Sequence, residues 1–124
     1  MGEALFSVLS TCAPVVSTTA ASRQRRFELA AWEMLEVGKT QREADADIAE
    51  AIDYLEYYGR EMLRLGVPQR LGDEPGEVNE YSYQPRGIAL VLSPWNFPLA
   101  ILTGMSVAAL AAGTISLCLI ALKS

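Results

Sequence analysis

From Arg23 onward the apolar positions recur at helical spacing. Phe27, Ala30, Ala31, Met34 and Leu35 mark one face of the predicted helix, with Glu28, Glu33 and Glu36 on the other. Ser22 fits an N-cap and Gly38 a left-handed residue after the last turn, so the pattern predicts an amphipathic helix of roughly four turns. A second, longer helix is predicted at once. Thr40-Gln41-Arg42-Glu43 matches a capping box, in which hydroxyl and carboxylate each satisfy a backbone N–H. Ala44, Ile48, Ala51, Ile52, Leu55, Met62 and Leu63 form its apolar stripe, and Gly66 with Pro68 supplies the stop. Gly, Pro, Asp and Glu between Gly66 and Glu80 mark a surface loop, and Tyr81-Ser82-Tyr83 alternates as a short strand. After the turn signal Pro85-Arg86-Gly87, the run Ile88-Ala89-Leu90-Val91-Leu92 predicts a buried strand.

The two ends differ from this charged middle. Ala4 to Ala21 is uncharged, begins after an acidic rather than basic start, and carries Pro14 among many Ser and Thr, a poor signal peptide and a poor helix former. It is expected to be a weakly structured lead-in. Gly87 to Leu122 is also uncharged, and the window 99–122 is long enough to span a bilayer. Pro94 and Pro98 interrupt that run and Gly104 and Gly113 dilute it, so a buried strand, a buried helix and another strand explain the hydropathy better than an anchor. Cys12 and Cys118 have no CxxC spacing and no basic neighbour, and read as small hydrophobes.

Composition narrows the function classes. The 124 residues are 51% hydrophobic and 20% charged, which suits one small domain with a core. A net charge of -5 disfavours nucleic acid, and the absence of histidine removes the commonest general base and metal ligand. Glu43, Asp45, Asp47, Glu50, Asp53 and Glu56 are spread around the second helix without calcium-loop or di-iron spacing, so they read as a solvated face and no metal is expected. Tyr54, Tyr57 and Tyr58 read as packing at a helix edge.

Candidate chemistry sits in Ser93-Pro94-Trp95-Asn96-Phe97-Pro98, directly after the apolar strand and opening a helix that ends near Gly113. Ligand sites of open α/β sheets lie at the carboxyl ends of strands. Pro94 and Pro98 restrict the loop, Trp95 and Phe97 offer apolar walls, and the Asn96 amide is a neutral donor suited to an oxyanion. The same residues equally suit a rigid turn with core aromatics and an Asx-turn at Asn96.

Gly87-Ile-Ala-Leu-Val-Leu-Ser-Pro-Trp-Asn-Phe-Pro-Leu-Ala resembles the strand-loop-helix of the aldehyde dehydrogenase superfamily. The likeness reaches upstream through Phe27-Glu-Leu-Ala-Ala-Trp-Glu-Met-Leu-Glu-Val-Gly-Lys39 and Glu43 to Tyr58, and is most similar to the 1-pyrroline-5-carboxylate (glutamate 5-semialdehyde) dehydrogenase branch. The resemblance implies an α/β fold: a partial Rossmann-like cofactor-binding domain, with N-terminal helices, a hairpin, and the first parallel strand and helix. It implies NAD or NADP as cofactor and an aldehyde as substrate. In that family a cysteine thiolate attacks the aldehyde, hydride passes to the nicotinamide and water releases the acid. By the same resemblance Asn96 is the side-chain half of the oxyanion hole, and Leu92, Ser93, Pro94, Trp95 and Asn96 line the dinucleotide site.

The family's nucleophilic Cys, general-base Glu and glycine-rich turn lie downstream of this segment, and neither Cys12 nor Cys118 stands in the nucleophile's context. Lys123 falls about four residues late for the family's ribose-binding lysine and is not assigned that role. Residues 26–113 are expected to be the aldehyde dehydrogenase part, with 1–25 an unmatched lead-in and 114–124 a divergent tail, as a gene fragment with altered reading frames would produce. The expectation is an N-terminal, cytoplasmic fragment, inactive alone. Two alternatives compete with it. One is a tail-anchored protein held by 99–122; the other is a non-catalytic module pairing with a full-length homologous subunit.

Overall fold

The computed structural model describes residues 2–72 and 74–120. Their order is α1 (Gly2–Gln24), α2 (Arg26–Val37), α3 (Gln41–Leu65), β1 (Gln69–Arg70), β2 (Glu80–Tyr81), β3 (Ile88–Ser93), α4 (Ala100–Ala111) and β4 (Ile115–Ile120). This is the predicted α/β class, helices beside a small parallel pair.

The capping box forms as predicted. Thr40 Oγ1 accepts from the Glu43 N–H at 3.3 Å and Glu43 Oε2 accepts from the Thr40 N–H at 3.0 Å. These bonds to Thr40 hold the Glu43 carboxyl below its usual range. Thr40→Ala removes one side of the box and is expected to destabilise the chain by about 1 kcal/mol, read from the urea midpoint. An unchanged midpoint would show that α3 is held by its packing alone. From this start α3 buries Ala44, Ile48, Ala51, Ile52 and Leu55, the predicted stripe, while Leu63 is left exposed. Gly38 takes the left-handed conformation with φ 73° and ends α2 as expected.

Two apolar clusters flank α3. Ala30, Ala44, Ile48 and Ile52 form one with Leu29 and Leu99; Val15, Leu55, Val107 and Ala111 form the other with Tyr54, Tyr58 and Met62. The close approach of α3 and α4 depends on Gly104, where a Cβ would meet the Tyr54 ring at 2.9 Å. This is the packing role expected of Tyr54 and Tyr58.

Several expectations are corrected. The first residues form a long helix rather than a weakly structured lead-in. Burial of Val15 against α3 and α4 holds α1 in place, and its hydroxyls bond back within the helix, Thr18 Oγ1 to the Pro14 carbonyl and Thr19 Oγ1 to that of Val15, both at 2.8 Å. Ser22 therefore lies inside α1 and caps nothing; Arg25 precedes α2 with no side-chain cap. Most of the predicted apolar face of α2 is also turned outward. Of that face Ala30 is buried as expected, but Phe27 and Leu35 are 83% and 79% exposed, and Glu33 from the opposite face turns to the interior. Ion pairs from Arg26 to Asp45 and from Arg23 to Glu56 fasten this end of the chain to α3.

Gln69 and Arg70 pair antiparallel with Tyr81 and Glu80, so the predicted surface loop is closed by a short ladder and the tyrosine strand ends at Tyr81. Further on, β3 and β4 pair in parallel from Ile88 with Ile115 to Ser93 with Ile120, and α4 makes the connection that parallel strands require. Only one face of β3 is covered: Val91 and Ser93 are buried, but Ile88, Leu90 and Leu92 are 78%, 59% and 63% exposed. The expected strand buried on both faces is thus buried on one. The apolar window is divided between a twelve-residue helix and a strand, and among the described residues no helix is long and apolar enough to cross a membrane. The side chains of Cys12 and Cys118, and all of Lys123, lie outside the described residues.

Candidate functional site

The carboxyl end of β3 delivers Ser93 into the interior, 1% exposed, and the chain then turns through Pro94–Leu99 into α4. Pro98 stands two residues before Ala100, in the loop and outside α4. Trp95 and Phe97 are 37% and 40% exposed and Asn96 is exposed, so the aromatics do not fill the core as the rigid-turn reading required. Leu92 is exposed on the open face of β3, Ser93 is buried, and Pro94 is half-buried. The seven residues from Leu92 to Pro98 thus lie together at the strand's carboxyl end, with Asn96 exposed.

Burial of Ser93 anchors the loop at one end. At the other, Leu99 has no side-chain acceptor to cap α4. A neighbouring helix supplies one instead: Asp47 Oδ2 on α3 accepts from the Ala100 N–H at 3.4 Å. An anionic cap at this position also favours the helix dipole.

Asp47 belongs to a buried cluster beneath the loop. Lys39 Nζ lies 3.2 Å from Glu33 Oε2 and 3.2 Å from Asp47 Oδ2, and 4.4 Å from the centre of the Phe97 ring. Glu33 is 5% and Asp47 2% exposed. Both had been placed on solvated helix faces, so this is a correction. Desolvation, followed by the neighbouring Asp47 carboxylate, pushes the Glu33 carboxyl up to about 7, against the opposing pull of Lys39. A signal for Asp47 was present in the sequence, since position 47 falls inside the helical stripe of Ala44, Ile48 and Ala51. The signal for Glu33 was weaker. It sits three residues after Ala30, yet α2 offered a more apolar face elsewhere.

Trp95 and Leu92 leave apolar surface open at the carboxyl end of a parallel pair, the position at which open α/β sheets bind their ligands. Among the described residues no group of three or more Cys, Asp or Glu is placed to hold a metal ion.

Comparison with known proteins agrees with this geometry. The profile of the aldehyde dehydrogenase family matches residues 12–121. A 1-pyrroline-5-carboxylate dehydrogenase of Geobacillus thermodenitrificans is 50% identical over 113 residues, 90% of this chain and 20% of the relative. The 1-pyrroline-5-carboxylate dehydrogenase from Thermus, solved with bound NAD, superposes with a TM-score of 0.85 at 40% identity, covering 94% of this chain and 24% of that one. Proline utilization A of Bradyrhizobium japonicum gives a TM-score of 0.86 at 32% identity, over 90% of this chain and 12% of that one. The chain thus spans about one fifth of the length of the curated relatives it matches. A family match over most of its residues and the strand-loop-helix at the end of β3 lead to one conclusion: the chain belongs to the aldehyde dehydrogenase family.

Proposed function

We propose that these 124 residues carry the first part of the NAD(P) site and one oxyanion donor of a 1-pyrroline-5-carboxylate dehydrogenase, an enzyme that oxidises glutamate 5-semialdehyde to the acid. The observation that carries this reading is the placement of exposed Asn96 and Trp95 at the carboxyl end of β3, directly before α4. In this role Leu92, Ser93, Pro94 and Trp95 form one side of the dinucleotide site, and the Asn96 amide N–H₂ donates to the aldehyde oxygen as it gains negative charge. NAD(P)+, when bound, supplies the hydride acceptor. The chain's own contribution is to orient the cofactor against the strand end and to hold a neutral donor ready.

Oxidation also needs a nucleophile and a general base, and the resemblance assigns neither role to a residue among these 124. The chain by itself is therefore expected to produce no NADH from NAD+ and glutamate 5-semialdehyde when followed at the nicotinamide absorbance. Turnover at rates usual for enzymes would overturn that part of the reading. Replacing the matching segment of the Geobacillus thermodenitrificans relative by residues 12–121 tests the positive part. An active hybrid supports it, and a folded hybrid that binds NAD+ but has no activity counts against it.

A further inference from the structure

Beneath the loop, three ionisable groups from three parts of the chain meet away from water: Glu33 on α2, Lys39 in the α2–α3 connection and Asp47 on α3. Their charges do not balance, since one ammonium faces two carboxylates. Nor are their hydrogen bonds complete when both acids are ionised. Glu33 Oε1 and Oε2, Asp47 Oδ1 and Lys39 Nζ are all buried without a hydrogen-bond partner, although the ammonium stands at ion-pair distance from both acids. Ionised carboxylates can only accept, so a proton placed on Glu33 provides the donor that the pair lacks. Isolated buried charge is costly, which favours uptake of that proton.

Two contacts connect this cluster to the loop. Lys39 Nζ sits over the face of Phe97, and Asp47 caps α4 at Ala100. One grips the loop next to Asn96 and the other grips the helix into which the loop runs. A change in the balance between Glu33 and Asp47 alters where the single ammonium sits, and the ammonium is what Phe97 rests on.

We propose that Glu33, Lys39 and Asp47 form a buried brace that positions the Pro94–Pro98 loop, and that proton uptake by Glu33 sets how firmly Phe97, and through it Asn96, is held. These are positioning residues. None of them is assigned contact with substrate or cofactor, and the proposal stands on contacts within the chain whichever aldehyde the family member oxidises.

The test uses the intrinsic fluorescence of the 124-residue chain, with Trp32→Phe so that Trp95 is the sole reporter. Emission maximum and acrylamide quenching are followed from pH 5 to pH 9, with far-UV circular dichroism measured alongside. The brace predicts a Trp95 transition centred near pH 7 while the helical signal stays level. Glu33→Gln keeps the shape and the donor but cannot ionise, and is expected to abolish the transition. Phe97→Leu leaves the cluster intact but removes the ring over Lys39, and is expected to uncouple Trp95 from pH. A flat Trp95 response in the Trp32→Phe chain, a transition that survives either substitution, or loss of the helical signal across the whole pH range would overturn the proposal. A purely structural cluster would let Glu33→Gln change thermal stability without changing the pH response of Trp95.

Discussion

Lys39→Met is expected to destabilise the chain by about 3–5 kcal/mol at pH 8, the range seen when one partner of a buried ion pair is removed. The methionine keeps most of the aliphatic stem beneath Phe97, so the loss reports charge rather than volume. Without the ammonium, Glu33 and Asp47 are two buried carboxylates 3.2 Å from where their cation stood. Small domains have total stabilities of about 5–15 kcal/mol, so a loss of this size places the variant close to unfolding. The penalty should shrink at pH 5, where Glu33 can take up a proton. The parent chain changes with pH in the same direction. Glu33 is pushed in the fold from its ordinary 4.5 up to about 7, so its contribution is fully present below pH 4.5 and is lost as pH rises through 7. Urea denaturation at the two pH values checks both statements. A loss under about 1 kcal/mol at pH 8 would mean that water reaches the cluster and carries the charge, as at exposed ion pairs.

Asn96→Ala, made in the hybrid enzyme carrying residues 12–121, is expected to lower kcat by about 10²–10³, with KM for NAD+ little changed. The amide is exposed at the carboxyl end of β3, and the loop that presents it is anchored by buried Ser93 and by the Asp47 cap on α4. Donation to an oxygen that becomes charged only during reaction lowers the barrier without tightening ground-state binding, and so acts on kcat. A hybrid whose kcat is unaffected would assign Asn96 to the turn alone. An equal loss in NAD+ affinity would make it a cofactor-holding residue. Steady-state kinetics with both substrates varied separates these results.

The elements were largely legible where local signals agreed. Gly38 marked the end of one helix, Thr40 with Glu43 and the stripe from Ala44 to Leu55 marked the next, and all are found in their expected places. The strand before Ser93 and the helix after Leu99 followed from an apolar run and its punctuation by proline and glycine. Local signals misled where tertiary packing outweighed them. Pro14 and the surrounding hydroxyls argued against helix, yet α1 forms because Val15 has a place beside Leu55 and Val107 and the hydroxyls bond back to their own turn. The apolar face of α2 argued for burial of Phe27 and Leu35, yet the helix turns Glu33 inward toward Lys39 and Asp47.

The candidate site shows the same division. By sequence alone the motif after β3 was visible as a contiguous string, and with it the family, the strand end and Asn96 as the proposed donor. These are one-dimensional properties, since capping, periodicity and a run of adjacent residues are all written within a few turns of chain. What lies beneath the motif was decided only by the tertiary structure. Glu33, Lys39 and Asp47 stand on two helices and the connection between them, Phe97 lies fifty positions after Asp47, and a charged residue on a helix reads as solvated until another element covers it. Their meeting depends on how α2 is rotated and where α4 begins, which are set by the shared packing of three helices and by the cost of leaving a buried charge unpaired.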